Sequence, residues 1–142
     1  MFKDLVYFVQ TDTTVGFLSQ NPSSLSKAKQ RLEGKSYIKA VASNTKLPRV
    51  PNRHKNQIRR AKKTTFIYPN GESYRVIKDE HKEFVKKFGF IYSTSANKSG
   101  EGYDLTYALN NADVVVYTKA GFNAKGASKL VKLYKGGCKR LR

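Results

Sequence analysis

The chain has 142 residues, 39% hydrophobic and 12% aromatic, and its 28 Lys+Arg against 10 Asp+Glu give a formal net charge of +18. Length and apolar content predict one packed domain over 1–142 and exclude a mostly disordered chain. The charge excess points to a polyanionic partner: nucleic acid, a nucleotide or an anionic surface. A single cysteine, Cys138, excludes an internal disulfide framework, and two histidines, His54 and His81, are too few for a structural metal cluster of familiar spacing. The opening Met1-Phe2-Lys3-Asp4 is unlike a signal peptide and no run of ~18 apolar residues offers a membrane span, so the expected address is cytoplasmic, with no membrane partner.

Leu5 to Val9 is a continuous apolar run, too short for a good helix, and predicts a strand buried on both faces. Gln10 to Gly16 reads as a polar loop where that strand exits, with Asp12 suited to a turn. Pro22-Ser23-Ser24 offers the start of a helix carrying Leu25, Ala28 and Leu32 at helical spacing, with Gly34 placed to end it. Lys29 and Arg31 lie near that end. Two positions apart on a continuing helix they point about 200° from each other, so they serve one ligand only if the helix unwinds there.

Ser36 to Ser43 predicts a second strand. Asn44 to Lys63 holds Pro48 and Pro51 and then Arg53, His54, Lys55, Arg59, Arg60, Lys62 and Lys63, with Ile58 its one large apolar residue in the basic run. It is a short helix or a basic loop, and either a solvated surface or a binder of phosphate backbone. Thr64 to Tyr68, the turn Pro69-Asn70-Gly71 and Ser73 to Ile77 form the clearest hairpin signal, and they place Arg75 on a strand. Asp79 is a candidate cap for a helix through Phe88, with Phe84, Val85 and Phe88 inward and Gly89 as its stop.

Phe90-Ile91-Tyr92 then delivers Ser93-Thr94-Ser95-Ala96-Asn97, followed by the flexible 98–102. Hydroxyls and an amide at a strand exit offer donors and acceptors without fixed charge, which suits sugar, carboxylate or phosphate oxygens; the plainer reading is a Ser/Thr/Asn-rich loop. Asp104 can cap a short helix with Leu105, Tyr107, Ala108 and Leu109. Asp113 to Tyr117 predicts another buried strand, 120–126 a glycine-bearing loop, 127–131 the start of a further strand, and Leu133 to Arg142 a terminal hairpin broken by Gly136-Gly137. Alternating strands and helices with at least one hairpin give an α/β class, bordering α+β, with a mixed sheet.

Taken together these pieces resemble the YrdC-like family of threonylcarbamoyl-AMP synthases. The likeness is carried by Ser93 to Asn97 with Ser99-Gly100, by Thr11-Asp12-Thr13 with Gly16, by Lys29-Gln30-Arg31 with Lys35, and by Thr65, Arg75-Val76 and Ser128. The chain departs from the family pattern in having no helix before its first strand, a short segment before Thr64, Lys62-Lys63 for a glycine-proline, and Gln10, Val15, Leu32 and Thr118 to Gly121 at other motif positions. The resemblance implies an open, strongly twisted sheet, also like that of dihydroxybutanone-phosphate synthase, around a basic concave cavity. It implies condensation of L-threonine, bicarbonate and ATP into threonylcarbamoyl-AMP and pyrophosphate for tRNA modification, with Mg2+ arriving with ATP and a threonylcarbamoyl transferase downstream. On that reading Lys29 and Arg31 are catalytic, while Thr11, Thr13, Lys35, Thr65, Arg75, Ser93, Ser95, Asn97 and Ser128 bind substrate or nucleotide. The competing reading is a fold that has lost the chemistry and binds tRNA or double-stranded RNA through Arg53, Lys55, Arg59, Arg60, Lys62 and Lys63.

Overall fold

The computed structural model describes residues 3–11, 13–32, 34, 36–50, 52–78, 81–116, 121–122 and 126–142. In chain order the elements are β1 (Tyr7–Gln10), β2 (Val15–Ser19), α1 (Pro22–Lys29), β3 (Ile38–Val41), a 3-10 turn (Asn44–Lys46), α2 (Asn52–Arg60), β4 (Thr64–Ile67), β5 (Ser73–Val76), α3 (Lys82–Lys86), β6 (Ile91–Ser95), α4 (Leu105–Asn111), β7 (Val114–Val116), β8 (Lys129–Tyr134) and β9 (Gly137–Arg140). The strands form one mixed sheet in the order β7-β1-β2-β6-β3-β5-β4-β8-β9. β6 lies inside it, antiparallel to both β2 and β3.

Alternation along the strands sorts the core onto the sheet's two faces. Val6, Phe8, Val15 and Phe17 pack with Leu25 and Ala28 of α1 and Ala108 of α4. Tyr7, Val9, Leu18, Ala40 and Ile91 point the other way and meet Val85 of α3. A third cluster, Phe66, Tyr68, Tyr74, Val131 and Leu133, is covered by Ile58 of α2. The strand register puts Tyr74 opposite Lys39, and Lys39 opposite Tyr92, so α2 shares the face of α1 and α4.

The hairpin predicted at 64–77 is present, with Phe66 opposite Tyr74 and Gly71 at φ +88° in its turn. So are the Asp104 cap, whose carboxylate accepts from the Thr106 and Tyr107 amides at 2.9 and 3.4 Å, and the terminal hairpin, closed at Tyr134 and Gly137. The basic segment resolves into a short helix.

Other expectations need correction. Val15–Ser19 is a fully buried strand, where the sequence reading ended a polar loop and expected no element before the helix at Pro22. The helix also ends earlier than predicted, before Leu32 and Gly34: α1 stops at Lys29, and Leu32 is 87% exposed instead of lying on an apolar face. Gln30 adopts the left-handed conformation, and its amide and that of Arg31 return to the Lys27 and Ser26 carbonyls. The Ser99 amide takes the Lys29 carbonyl at 2.9 Å and the Tyr107 hydroxyl takes that of Ala28, so tertiary partners satisfy the helix's open carbonyls.

α3 is shorter than predicted and starts after His81 with no side-chain cap; Asp79 lies outside the described residues. Its inward face is as expected, with Phe84 and Phe88 edge-on to Tyr7 at 5.1 and 5.7 Å. β7 is half-buried, not buried, because it is the sheet's edge and pairs only with β1. Among the described residues no helix is long and apolar enough to cross a membrane.

Candidate functional site

Three strands aim predicted site residues at one face. Arg75 on β5 is opposite Ala40, which is opposite Ile91 on β6, and Ser93 and Ser95 follow Ile91 at spacings of two. Thr65, one residue from Phe66 on β4, falls on that side too, away from α2. Here a cavity of about 180 Å³ opens, walled by Thr13, Arg75, Ser93, Ser95, Ser128 and Arg142 among others. Thr11 and Thr13 arrive from the β1–β2 turn, where the Thr11 hydroxyl lies 3.3 Å from that of Thr13 and donates to the Thr14 carbonyl.

The turn can approach because of Gly16. A Cβ there would meet the Thr11 methyl at 2.9 Å and the Thr94 carbonyl at 3.2 Å, so β2 lies against β6 only with glycine at this position. Across the cavity the Arg75 guanidinium donates to the Thr13 hydroxyl at 3.0 Å, a bond 62 residues apart in sequence. Arg75 is 6% exposed; burial first, and the Arg142 charge second, lower its pKa to about 10. It therefore stays cationic at neutral pH. Thr65 and Ser128, both buried, share a 2.9 Å hydroxyl contact, and Arg142 donates to the Ser128 carbonyl at 2.9 Å and its hydroxyl at 3.4 Å.

A second cluster adjoins the first through Ser95. The Lys29 ammonium, 1% exposed, lies 2.9 Å from the Ser95 carbonyl and 3.3 Å from its hydroxyl, and 3.0 and 3.2 Å from the Asn97 carbonyl and side-chain oxygens. Burial, and then the nearby Arg31 charge, lower Lys29 to about 8. Because Gln30 turns the backbone out of the helix, Arg31 reaches the same loop, donating to the Ser99 hydroxyl at 3.3 Å with its guanidinium over the Tyr37 ring. The unwinding required for Lys29 and Arg31 to work together is thus present. Asn97 closes the loop through its amide, which donates to Lys98 and Glu101 carbonyls.

The fold brings together Lys29, Arg31, Thr11, Thr13, Thr65, Arg75, Ser93, Ser95, Asn97 and Ser128. Lys35 lies outside the described residues. Arg53, Lys55, Arg59, Arg60, Lys62 and Lys63 are elsewhere, exposed on and after α2. Sequence reasoning missed Arg142, which reaches the cavity only because β8 and β9 fold back together, and His81, buried within the field of Arg75. Burial and that charge lower the His81 pKa to about 3, and no hydrogen-bond partner meets its Nδ1 among the described residues. Among the described residues no carboxylate walls the cavity, and no three His, Cys, Asp or Glu side chains gather.

Neither a protein-family model nor a curated protein matches the chain. Solved structures do. Sua5 from P. abyssi, in a crystal structure with L-threonine, superposes with a TM-score of 0.79 at 16% identity over 99% of this chain and 51% of its own. A Sua5 variant gives 0.80 at 15%, over 98% of this chain and 52% of its own, so the chain spans about half the length of Sua5. The MTH1692 protein of Methanobacterium thermoautotrophicum gives 0.70 at 20%, over 98% and 80%. HypF, in a phosphate- and nucleotide-bound form, gives 0.70 at 14%, over 98% of this chain and 27% of its own. At such identities the likeness is one of architecture, and the chain has the YrdC-like fold.

Proposed function

We propose that the protein is an L-threonylcarbamoyl-AMP synthase, joining L-threonine, bicarbonate and ATP with release of pyrophosphate. The carrying observation is the convergence on Ser95: its hydroxyl meets the Lys29 ammonium, and it walls the cavity in which Arg75 meets Thr13. Two anion-binding groups from distant parts of the chain thus adjoin one strand end. That arrangement fits an amino-acid carboxylate on one side and a nucleotide phosphate on the other.

Size supports the division. A cavity of about 180 Å³ is smaller than the ~300 Å³ at which drug-sized ligand pockets begin, and suits an amino-acid-sized group. Threonine would sit with its carboxylate toward Arg75, whose planar fork grips two oxygens, and with Thr13, Ser128 and Thr65 around it. The nucleotide would lie along the β6 exit, over Ser93, Ser95 and Asn97.

The chemistry asks for no side-chain nucleophile. The threonine amine and bicarbonate form a carbamate, a C–N bond replacing a C–O bond as water leaves; a carbamate oxygen then attacks the α-phosphorus, and the bond to pyrophosphate breaks. Negative charge grows on the α-phosphoryl and the departing group, and Lys29 and Arg31 supply fixed positive charge beside them. Lys29 also holds Ser95 and Asn97 in place, so positioning and charge come from one side chain. Mg2+ accompanying ATP would take ligands from the phosphates, which offer the hard oxygen donors it prefers.

The test is pyrophosphate release from ATP by the purified protein, with and without L-threonine and bicarbonate. Release that needs both co-substrates and fails in Arg31→Ala supports the proposal. Release indifferent to threonine, or none from folded protein, overturns it.

A further inference from the structure

The cavity of Thr13 and Ser95 has a second guanidinium in its wall besides that of Arg75. Arg142 arrives there by backbone pairing: the Leu130 amide donates to its carbonyl at 2.9 Å, and the Arg142 and Leu141 amides donate to the Leu130 carbonyl at 3.3 and 2.7 Å. Those bonds fix the chain against β8 without help from the side chain. The guanidinium turns instead to Ser128, giving its Nε to the carbonyl at 2.9 Å and an Nη to the hydroxyl at 3.4 Å. The fork's other donors are left for a ligand.

Burial separates the two cations. Arg75 is 6% exposed, whereas Arg142 is exposed. One therefore lies inside the cavity and the other on its solvent side. They feel each other, since the Arg142 charge is, after burial, the second cause that lowers the Arg75 pKa. Like charges around a space of about 180 Å³ repel until anions lie beside them. A carboxylate gripped by the Arg75 fork answers one, and a second anionic group on the same ligand answers Arg142.

L-Threonine as a zwitterion does not supply that second group. It has one carboxylate, and both guanidiniums repel its ammonium. Bicarbonate turns the ammonium into a carbamate with release of water and a proton, so a positive group becomes a negative one. The product, N-carboxy-L-threonine, is a dicarboxylate whose two acid groups are joined through Cα and nitrogen.

We propose that Arg75 and Arg142 together make this cavity a site for a compact dicarboxylate, with Arg75 taking the inner carboxylate and Arg142 the outer. Its identity as N-carboxy-L-threonine, with the carbamate on Arg142, rests on the synthase reading; the dicarboxylate site does not. Arg142 then stabilises the carbamate relative to the ammonium from which it forms.

The experiment is isothermal titration calorimetry at neutral pH with succinate, whose acid groups are likewise joined through two atoms, and with butyrate, its match in length with one carboxylate. Succinate should bind about tenfold or more tighter, the worth of one charge-assisted contact. Arg142→Gln should bring succinate to the butyrate level and leave butyrate unchanged, which also shows that the variant's cavity is folded, and Arg142→Lys should keep part of the preference. Arg49→Gln, which removes equal charge beside α2 on the sheet's other face, should keep all of it. No preference for succinate in the wild type, a preference that survives Arg142→Gln, or an equal loss in Arg49→Gln each overturn the proposal. In pyrophosphate release, Arg142→Gln should raise the bicarbonate KM by about tenfold or more. Release that needs threonine and bicarbonate, with that KM unmoved, overturns the carbamate assignment and spares the synthase reading; a succinate preference with no such release does the reverse.

Discussion

The Lys29 ammonium stands 2.9 Å from the Ser95 carbonyl, so a buried cation at the end of α1 is held by the last residue of a strand 66 positions later. With Lys29 lowered to about 8, this charge is present at neutral pH and disappears across the range just above it. Phosphate-dependent function should therefore fall as pH rises through about 8, earlier than for an ordinary lysine near 10.4. Nucleotide affinity measured from pH 6.5 to 9.5 checks this: wild type should weaken over the upper half, and Lys29→Arg should shift the loss to higher pH. Lys29→Ala should lower turnover by ~100-fold or more.

Thr65 and Ser128 share a buried hydroxyl contact of 2.9 Å between β4 and the residue preceding β8. Thr65→Val should cost about 1 kcal/mol of stability, the net worth of such a bond. Combined with Ser128→Ala in a double-mutant cycle, urea unfolding should show a coupling of at least ~0.5 kcal/mol. Strict additivity would mean that the two hydroxyls do not depend on each other.

Gly16→Ala places a methyl 2.9 Å from the Thr11 methyl and 3.2 Å from the Thr94 carbonyl. Backbone cannot give as a side-chain tip can, so β2 and β6 must part. The expected cost is about 1–3 kcal/mol, read as a lower denaturation midpoint. Displacing Thr11 and Thr13 should weaken L-threonine binding as well, by more than the stability loss explains.

His81 is held neutral by burial and by Arg75, its pKa lowered from 6.5 to about 3. The unfolded chain binds this proton below pH 6.5 and the folded chain does not until near 3, so stability is present above 6.5 and is lost as pH falls toward 3. Denaturant midpoints at pH 7, 5 and 4 should decline. His81→Gln should flatten that decline without reversing it.

Much of this was legible from the chain alone. β6 announced itself by Ile91-Tyr92 running into hydroxyl residues, the β4–β5 hairpin by Asn70-Gly71, and α4 by Asp104. β2 was not legible because its five residues carry a glycine in second place and follow a polar stretch; what makes it a strand is the space between β1 and β6. The end of α1 was misplaced for a like reason, since Leu32 continues the helical spacing while the bonds from Ser99 and Tyr107 to the helix carbonyls come from far along the chain. Arg142 left no local sign, being one cation in a run with Lys139 and Arg140. Its place beside Ser128 depends on strand register, which spacing along the chain does not encode.

The last turn of α1 is tied at once to β6 through Lys29, to the loop beyond it through Ser99, and to α4 through Tyr107. That makes the proposed phosphate side a clasp for the fold, closed by the same side chains that would receive the ligand. Whatever anion settles there tightens the clasp, and its binding free energy adds to the work of unfolding. A simple melting curve, run across nucleotides, amino acids and inorganic phosphate, becomes a direct screen for what the protein holds.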